Sequence, residues 1–195
     1  MDSQDIELTL EQKELLYLLY KLTDSDNCPN NWIKETPLQA LIFQGIRKGL
    51  FNEYDYAPIS TSFLGKGRKF VNISKEGEDD LGDLREFGLL ETIRLSSSKH
   101  NFITGFRPTS GSSKHLSNFT NEEKSRVDDI FTCSSCKKES LELFIDSDTP
   151  EFKMKCNSCK NEEIIPLIIP EDVSYSTRPY YLESLSTKKE TEETK

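Results

Sequence analysis

Apolar positions recur with a helical period across residues 10–22, where Leu15, Leu18, Leu19 and Leu22 share one face, and Thr9 and Gln12 stand at capping-box spacing. A second helical pattern follows. Thr36 suits an N-cap and Pro37 the first helical position, Leu38, Leu41, Ile42 and Ile46 repeat at helical spacing, and Gly49 stops the run. Residues 51–73 change to short aromatic and β-branched pieces broken by Pro58, Gly65 and Gly67, which predicts a loop and a hairpin ending in a strand at residues 70–73. A third helix is predicted from near Ser74 to Gly88, burying Leu81, Leu84 and Phe87. Residues 89–95 and 102–106 alternate as two strands around a Ser-rich tip. Residues 118–129 are polar, with a helix start at Thr120. Three further strands are predicted at 141–145, 152–155 and 164–169.

This pattern divides the chain into a region of helices and hairpins at 1–118, a connector at 119–129, a small β module at 130–172 and a tail at 173–195. The 195 residues suffice for one ordinary domain or two small ones; 34% are hydrophobic and 30% charged, so part of the chain is too polar to bury. Residues 186–195, rich in Lys and Glu without an apolar anchor, read as a solvated tail. Near the C-terminus, Arg178-Pro179-Tyr180-Tyr181-Leu182 reads as a strand packing onto the β module, or as a docking motif.

Charge narrows the function classes. A net charge of -9 argues against coating nucleic acid by bulk electrostatics, so any such contact must come from local patches. Two acid-free segments offer them. Residues 61–75 carry Lys66, Arg68, Lys69 and Lys75, and residues 92–121 carry Arg94, Lys99, Arg107 and Lys114 with His100 and His115. On hairpins, Lys66, Arg68, Lys69, Arg94, Lys99 and Arg107 would face a phosphate backbone and are the candidate nucleic-acid contacts; an ordinary solvated surface is the competing reading. The run Glu76-Gly77-Glu78-Asp79-Asp80 opposes DNA readout by the third helix. No apolar run is long enough for a bilayer, and the start Met1-Asp2-Ser3-Gln4-Asp5 lacks a signal-peptide pattern, so an intracellular setting, cytoplasmic or nuclear, without membrane insertion is expected.

The chemistry is concentrated in the cysteines. Cys133-Ser134-Ser135-Cys136 and Cys156-Asn157-Ser158-Cys159 are two C-x-x-C pairs separated by 19 residues, a spacing typical of four-thiolate zinc sites. The expected cofactor is one structural Zn²⁺ held by Cys133, Cys136, Cys156 and Cys159; an iron–sulfur centre or a redox dithiol pair is the alternative. Four thiolates leave no open position for catalysis. They also carry a net charge near two negative around Zn²⁺, which Lys137, Lys138, Lys155 and Lys160 are placed to offset. The fifth cysteine, Cys28, lies in a polar loop. No nucleophile motif, Gly-rich phosphate loop or histidine constellation appears, so neither an enzyme nor a small-molecule substrate is expected.

The β module with these pairs resembles a zinc ribbon, although Lys137 and Lys160 stand where such knuckles commonly carry glycine. The preceding region resembles winged-helix domains. Gly49-Leu50-Phe51 leading to residues 70–77, and Gly88-Leu89-Leu90 leading to residues 106–111, echo a third helix followed by a wing that returns into a helix start. The expected fold class is therefore α+β: a winged-helix-like N-terminal domain, as one unit or two in tandem, followed by a small three-stranded zinc ribbon. That order is similar to archaeal transcription factor E and its eukaryotic relatives. The resemblance implies a non-enzymatic, transcription-associated factor contacting DNA or RNA polymerase. A protein–protein adaptor in a multiprotein complex is the alternative.

Overall fold

A computed structural model of the chain describes residues 6–23, 31–62, 68–96, 103–145 and 152–166. Cys28, Lys66, Lys99, His100, the 146–150 connection, the Arg178–Leu182 run and the tail lie outside these residues, as does the side chain of Arg68.

Helix α1 (Leu10–Thr23) starts with the predicted reciprocal cap: Gln12 N–H donates to Thr9 Oγ1 and Thr9 N–H to Gln12 Oε1, both at 3.2 Å. Leu15, Leu16, Leu18 and Leu19 are fully buried, each contributing on the order of 2 kcal/mol of transfer free energy. The short strand β1 (Ile33–Lys34) runs directly into α2 (Glu35–Arg47), so the second helix begins ahead of Thr36. Lys34 is its N-cap, without a side-chain bond, and Pro37 is the third helical position, still in the first turn. Proline is tolerated there because first-turn N–H groups lack helical partners anyway. Gly49, at φ +83°, turns the chain out of the helix as predicted.

Strands β2 (Ala57–Ser62) and β3 (Arg68–Ile73) form an antiparallel hairpin. Helix α3 (Lys75–Glu86) begins at Ser74, whose hydroxyl accepts from Gly77 N–H at 3.2 Å. Leu81 and Leu84 are buried as predicted, but Phe87 is 40% exposed. The helix has ended by Glu86 and Gly88, at φ +73°, redirects the chain, so Leu89 and Leu90 take the core positions that Phe87 was expected to share. Strands β4 (Leu90–Leu95) and β5 (Ile103–Pro108) pair antiparallel, and β1 adds to the far side of β5, giving the order β1-β5-β4.

After α4 (Ser112–Ser117), α5 (Asn121–Asp128) opens with a full capping box between Thr120 and Glu123. A 3₁₀ turn (Asp129–Phe131) leads on from it. Val127 and Ile130 are completely buried, α5 packs on α1, and the turn packs on α2. Strands β6 (Leu141–Ile145), β7 (Phe152–Cys156) and β8 (Glu162–Ile165) form a second three-stranded antiparallel sheet in the order β6-β7-β8. The third strand starts earlier than residue 164. Its pairing with β7 places Glu162 opposite Lys155, with which it forms an ion pair at 3.1 Å. The whole is a mixed α+β protein with small antiparallel sheets. No helix among the described residues is long and apolar enough to cross a membrane.

Candidate metal centre

The two C-x-x-C turns are built alike. In the first, Lys137 N–H donates to Cys133 C=O at 2.9 Å and Cys133 N–H to Lys138 C=O at 3.0 Å; in the second, Lys160 N–H donates to Cys156 C=O at 2.9 Å and Cys156 N–H to Asn161 C=O at 2.8 Å. Each turn closes on a residue of positive φ, Lys137 at 57° and Lys160 at 63°. These are the positions where glycine was missing from the sequence. The left-handed conformation is kept without it, so the tight turn that aims both sulfurs inward is preserved.

Across the two turns, Cys133 Sγ lies 3.6 Å from Cys159 Sγ, and Cys136 Sγ 3.6 Å from Cys156 Sγ. All four sulfurs fall within 4.8 Å of one another and none is in a disulfide. Sulfurs bound tetrahedrally at about 2.3 Å from a metal ion are about 3.8 Å apart, so the cluster fits one ion. Cys133 and Cys156 are buried, Cys136 is half-buried and Cys159 exposed.

Ionisation of the thiols points the same way. The Ser140 hydroxyl, 3.0 Å from Cys156 Sγ, leads in pulling that thiol down to about 6, and the Cys136 N–H leads in lowering Cys133. Cys159 is pushed up to about 12: the Asn161 N–H favours its thiolate, but the Cys156 sulfur, burial, and the Cys133 and Cys136 sulfurs outweigh it. A bound metal ion would supply positive charge that favours the thiolate form of the set.

Two contributors were not foreseen. Ser140, just before β6, joins the turns: its carbonyl accepts from Asn157 N–H at 2.8 Å, its N–H donates to Phe131 C=O at 3.1 Å, and its hydroxyl reaches Cys156. Lys48, at the end of α2, donates from Nζ to the carbonyls of Asp129 at 2.8 Å and Ile130 at 3.3 Å, and its charge interacts with that of Cys133. A serine between cysteine pairs is a weak signal in sequence, and a lysine far upstream of them is none. Of the lysines expected to offset the thiolates, Lys155 is paired with Glu162, and Lys160 Nζ donates to Asn157 C=O at 3.0 Å.

The described candidate nucleic-acid contacts are divided between two sheets. Lys69 is exposed on β3, and Arg94 is exposed on β4. Arg107, on β5, is engaged: its guanidinium lies 4.5 Å from the Trp32 ring centroid and pairs with Glu91 at 2.6 Å. Lys75 is paired with Glu78 and Asp79.

Fold and site together define a mixed α+β protein with a C-terminal four-cysteine cluster positioned to bind a metal ion. Residues 11–164 match the family described as the Uncharacterized protein MJ1567 family, and the chain belongs to it. The matched stretch runs from α1 into β8 and takes in all four cysteines. No curated protein matches the chain.

Proposed function

We propose that this chain is a non-enzymatic adaptor: a winged-helix-like unit joined to a zinc ribbon, each offering surfaces to other proteins. The order α1-β1-α2-α3-β4-β5, with sheet order β1-β5-β4, supports the winged-helix reading, with the β2–β3 hairpin as an insertion between α2 and α3. Zinc is favoured by the all-sulfur ligand set and its tetrahedral spacing. The observation that carries the adaptor reading is the charge of α3. A nucleic-acid-binding winged helix would turn this element toward phosphates, yet it bears six carboxylates against Lys75 and Arg85.

A second reading, a transcription-associated factor contacting DNA or RNA polymerase, is favoured by the domain order and by the exposed Lys69 and Arg94 on two hairpins. Fluorescence anisotropy with labelled duplex and single-stranded DNA across a salt series separates the two. The adaptor predicts no binding at about 0.15 M salt, and a defined protein complex that survives nuclease treatment. Binding that weakens steeply with salt and is lost on reversing the charges of Lys66, Arg68, Lys69, Arg94 and Lys99 would replace the adaptor by the second reading.

A further inference from the structure

A groove of about 870 Å³ separates α1 and β1 from the metal-binding module. Two sheet margins line it, for β1 is the outer strand of the β1-β5-β4 sheet and β6 the outer strand of the β6-β7-β8 sheet. The hydrogen-bond parity of β6 shows what its margin offers. Asn157 N–H donates to Ser140 C=O, and Leu141 stands opposite Cys156. Bonded and non-bonded pairs alternate in an antiparallel ladder, so Glu142 and Phe144 bond toward β7, while Leu141 and Leu143 turn their N–H and C=O groups away from it. Those groups have no hydrogen-bond partner among the described residues, and both leucines line the groove.

The rest of the lining favours a polypeptide. Leu22, Ile33, Pro37 and Phe131 give an apolar wall. The ionic side chains, Lys21 and Lys34 against Glu139 and Glu142, cancel, so a polyanion such as nucleic acid has no Coulombic reason to enter. Lys21 is also already engaged by Asp128 and Glu139. An open strand edge beside an apolar wall of balanced charge is the chemistry of strand addition: main-chain bonds give affinity, and alternate side chains give selectivity.

We infer that the open edge of β6 takes up an extended segment of a partner protein as a fourth strand, on the order of the five residues of β6, with alternate apolar side chains directed at Leu22, Ile33 and Pro37. This deepens the adaptor reading by giving the chemistry of one partner; that reading itself stands or falls on the DNA and complex measurements above.

The probe is a random twelve-residue peptide library displayed on phage and selected on the metal-loaded, full-length protein. Trp32, the single tryptophan, lines the groove and reports binding of the synthetic peptides by fluorescence. Selected peptides should alternate apolar residues and slow amide exchange at Leu141 and Leu143 about tenfold or more. N-methylation at every second peptide residue should weaken binding about tenfold or more, and at the intervening residues about twofold or less. The inference is overturned by any of four results: no peptide enriched, an N-methylation series without alternation, unchanged exchange at both leucines on binding, or protection at those leucines already present in the free protein. In the last case, loss of that protection on deleting residues 167–195 would assign the edge to the chain's own tail, and its loss on dilution would assign it to a second copy.

Discussion

Lys137 and Lys160 hold a backbone conformation in which glycine is strain-free, and both close a cysteine turn. A left-handed L-residue costs about 1–2 kcal/mol, part of which glycine returns as greater freedom in the unfolded chain. Lys137→Gly should therefore raise the stability of the metal-loaded protein by about 0.5–1 kcal/mol in chemical denaturation. Lys160→Gly should gain less, because Lys160 Nζ donates to Asn157 C=O. At Glu14 burial has the opposite consequence. Its carboxylate is fully enclosed, accepts from Phe51 N–H at 3.1 Å and lies 3.1 Å from Arg126 Nη1, yet burial, with the charges of Glu11 and Glu123, raises its pKa above the ordinary 4.5. The folded protein thus holds this proton to higher pH than the unfolded chain, and stability falls as pH rises from about 4.5 to the raised value, levelling off beyond it. Glu14→Gln should lack that fall. Urea midpoints of both proteins between about pH 4 and 8 test it, since metal release by acid is common to the two and cancels in the difference.

Among the elements, α2 shows how a helix can be readable while its neighbours are not. The apolar period of Leu38, Leu41 and Ile42 predicted its buried face, and all three are fully buried. Nothing in that period accounts for Gly45. A Cβ there would lie 2.6 Å from Phe51 Cε2 and 2.9 Å from Cδ2, and Phe51 is fully buried, stacked on Tyr54 at 5.1 Å between ring centroids, and held at φ 50°. Gly45→Ala improves helix propensity by about 1 kcal/mol, but the overpacking costs about 1–3 kcal/mol and the ring has no room to yield. The variant should be net destabilised by about 1 kcal/mol, read as a lower thermal midpoint. The start of α2 was misread for a related reason. Thr36 and Pro37 carry a local capping signal, but pairing of Ile33 and Lys34 with β5 fixes where the strand ends and the helix begins.

In the whole molecule, Lys21, Lys48 and Ile130 are among the side chains that tie the cysteine module to the helical part. Lys48 bonds the carbonyls of Asp129 and Ile130, Lys21 pairs with Asp128 and Glu139, and Ile130 is buried next to α2. The three-stranded sheet itself is small, and a structural metal contributes on the order of 10 kcal/mol to a module of this kind. Chelation under reducing conditions should therefore free the β6–β8 sheet first. Hydrogen exchange should rise by orders of magnitude at Phe144 and Lys155, while Leu41 and Leu84 in α2 and α3 stay protected. Elemental analysis should find about one zinc per chain before chelation.

The sequence by itself determined the buried faces of α1 and α2, the capping box at Thr9, the helix starts near Ser74 and at Thr120, the hairpin strands and the four cysteines that come together. Each is a local feature, fixed by spacing along the chain or by the bonding habits of one or two side chains. Tertiary structure alone decided what depends on residues distant in sequence: the exposure of Phe87 once Leu89 and Leu90 fill the core, the engagement of Arg107 by Trp32 and Glu91, the reach of Ser140 and Lys48 toward the cysteines, and the edge of β6 that no other described strand pairs with. Periodicity reports which face of an element is apolar. What that face meets, and which backbone groups remain unpaired, is set only when the elements pack.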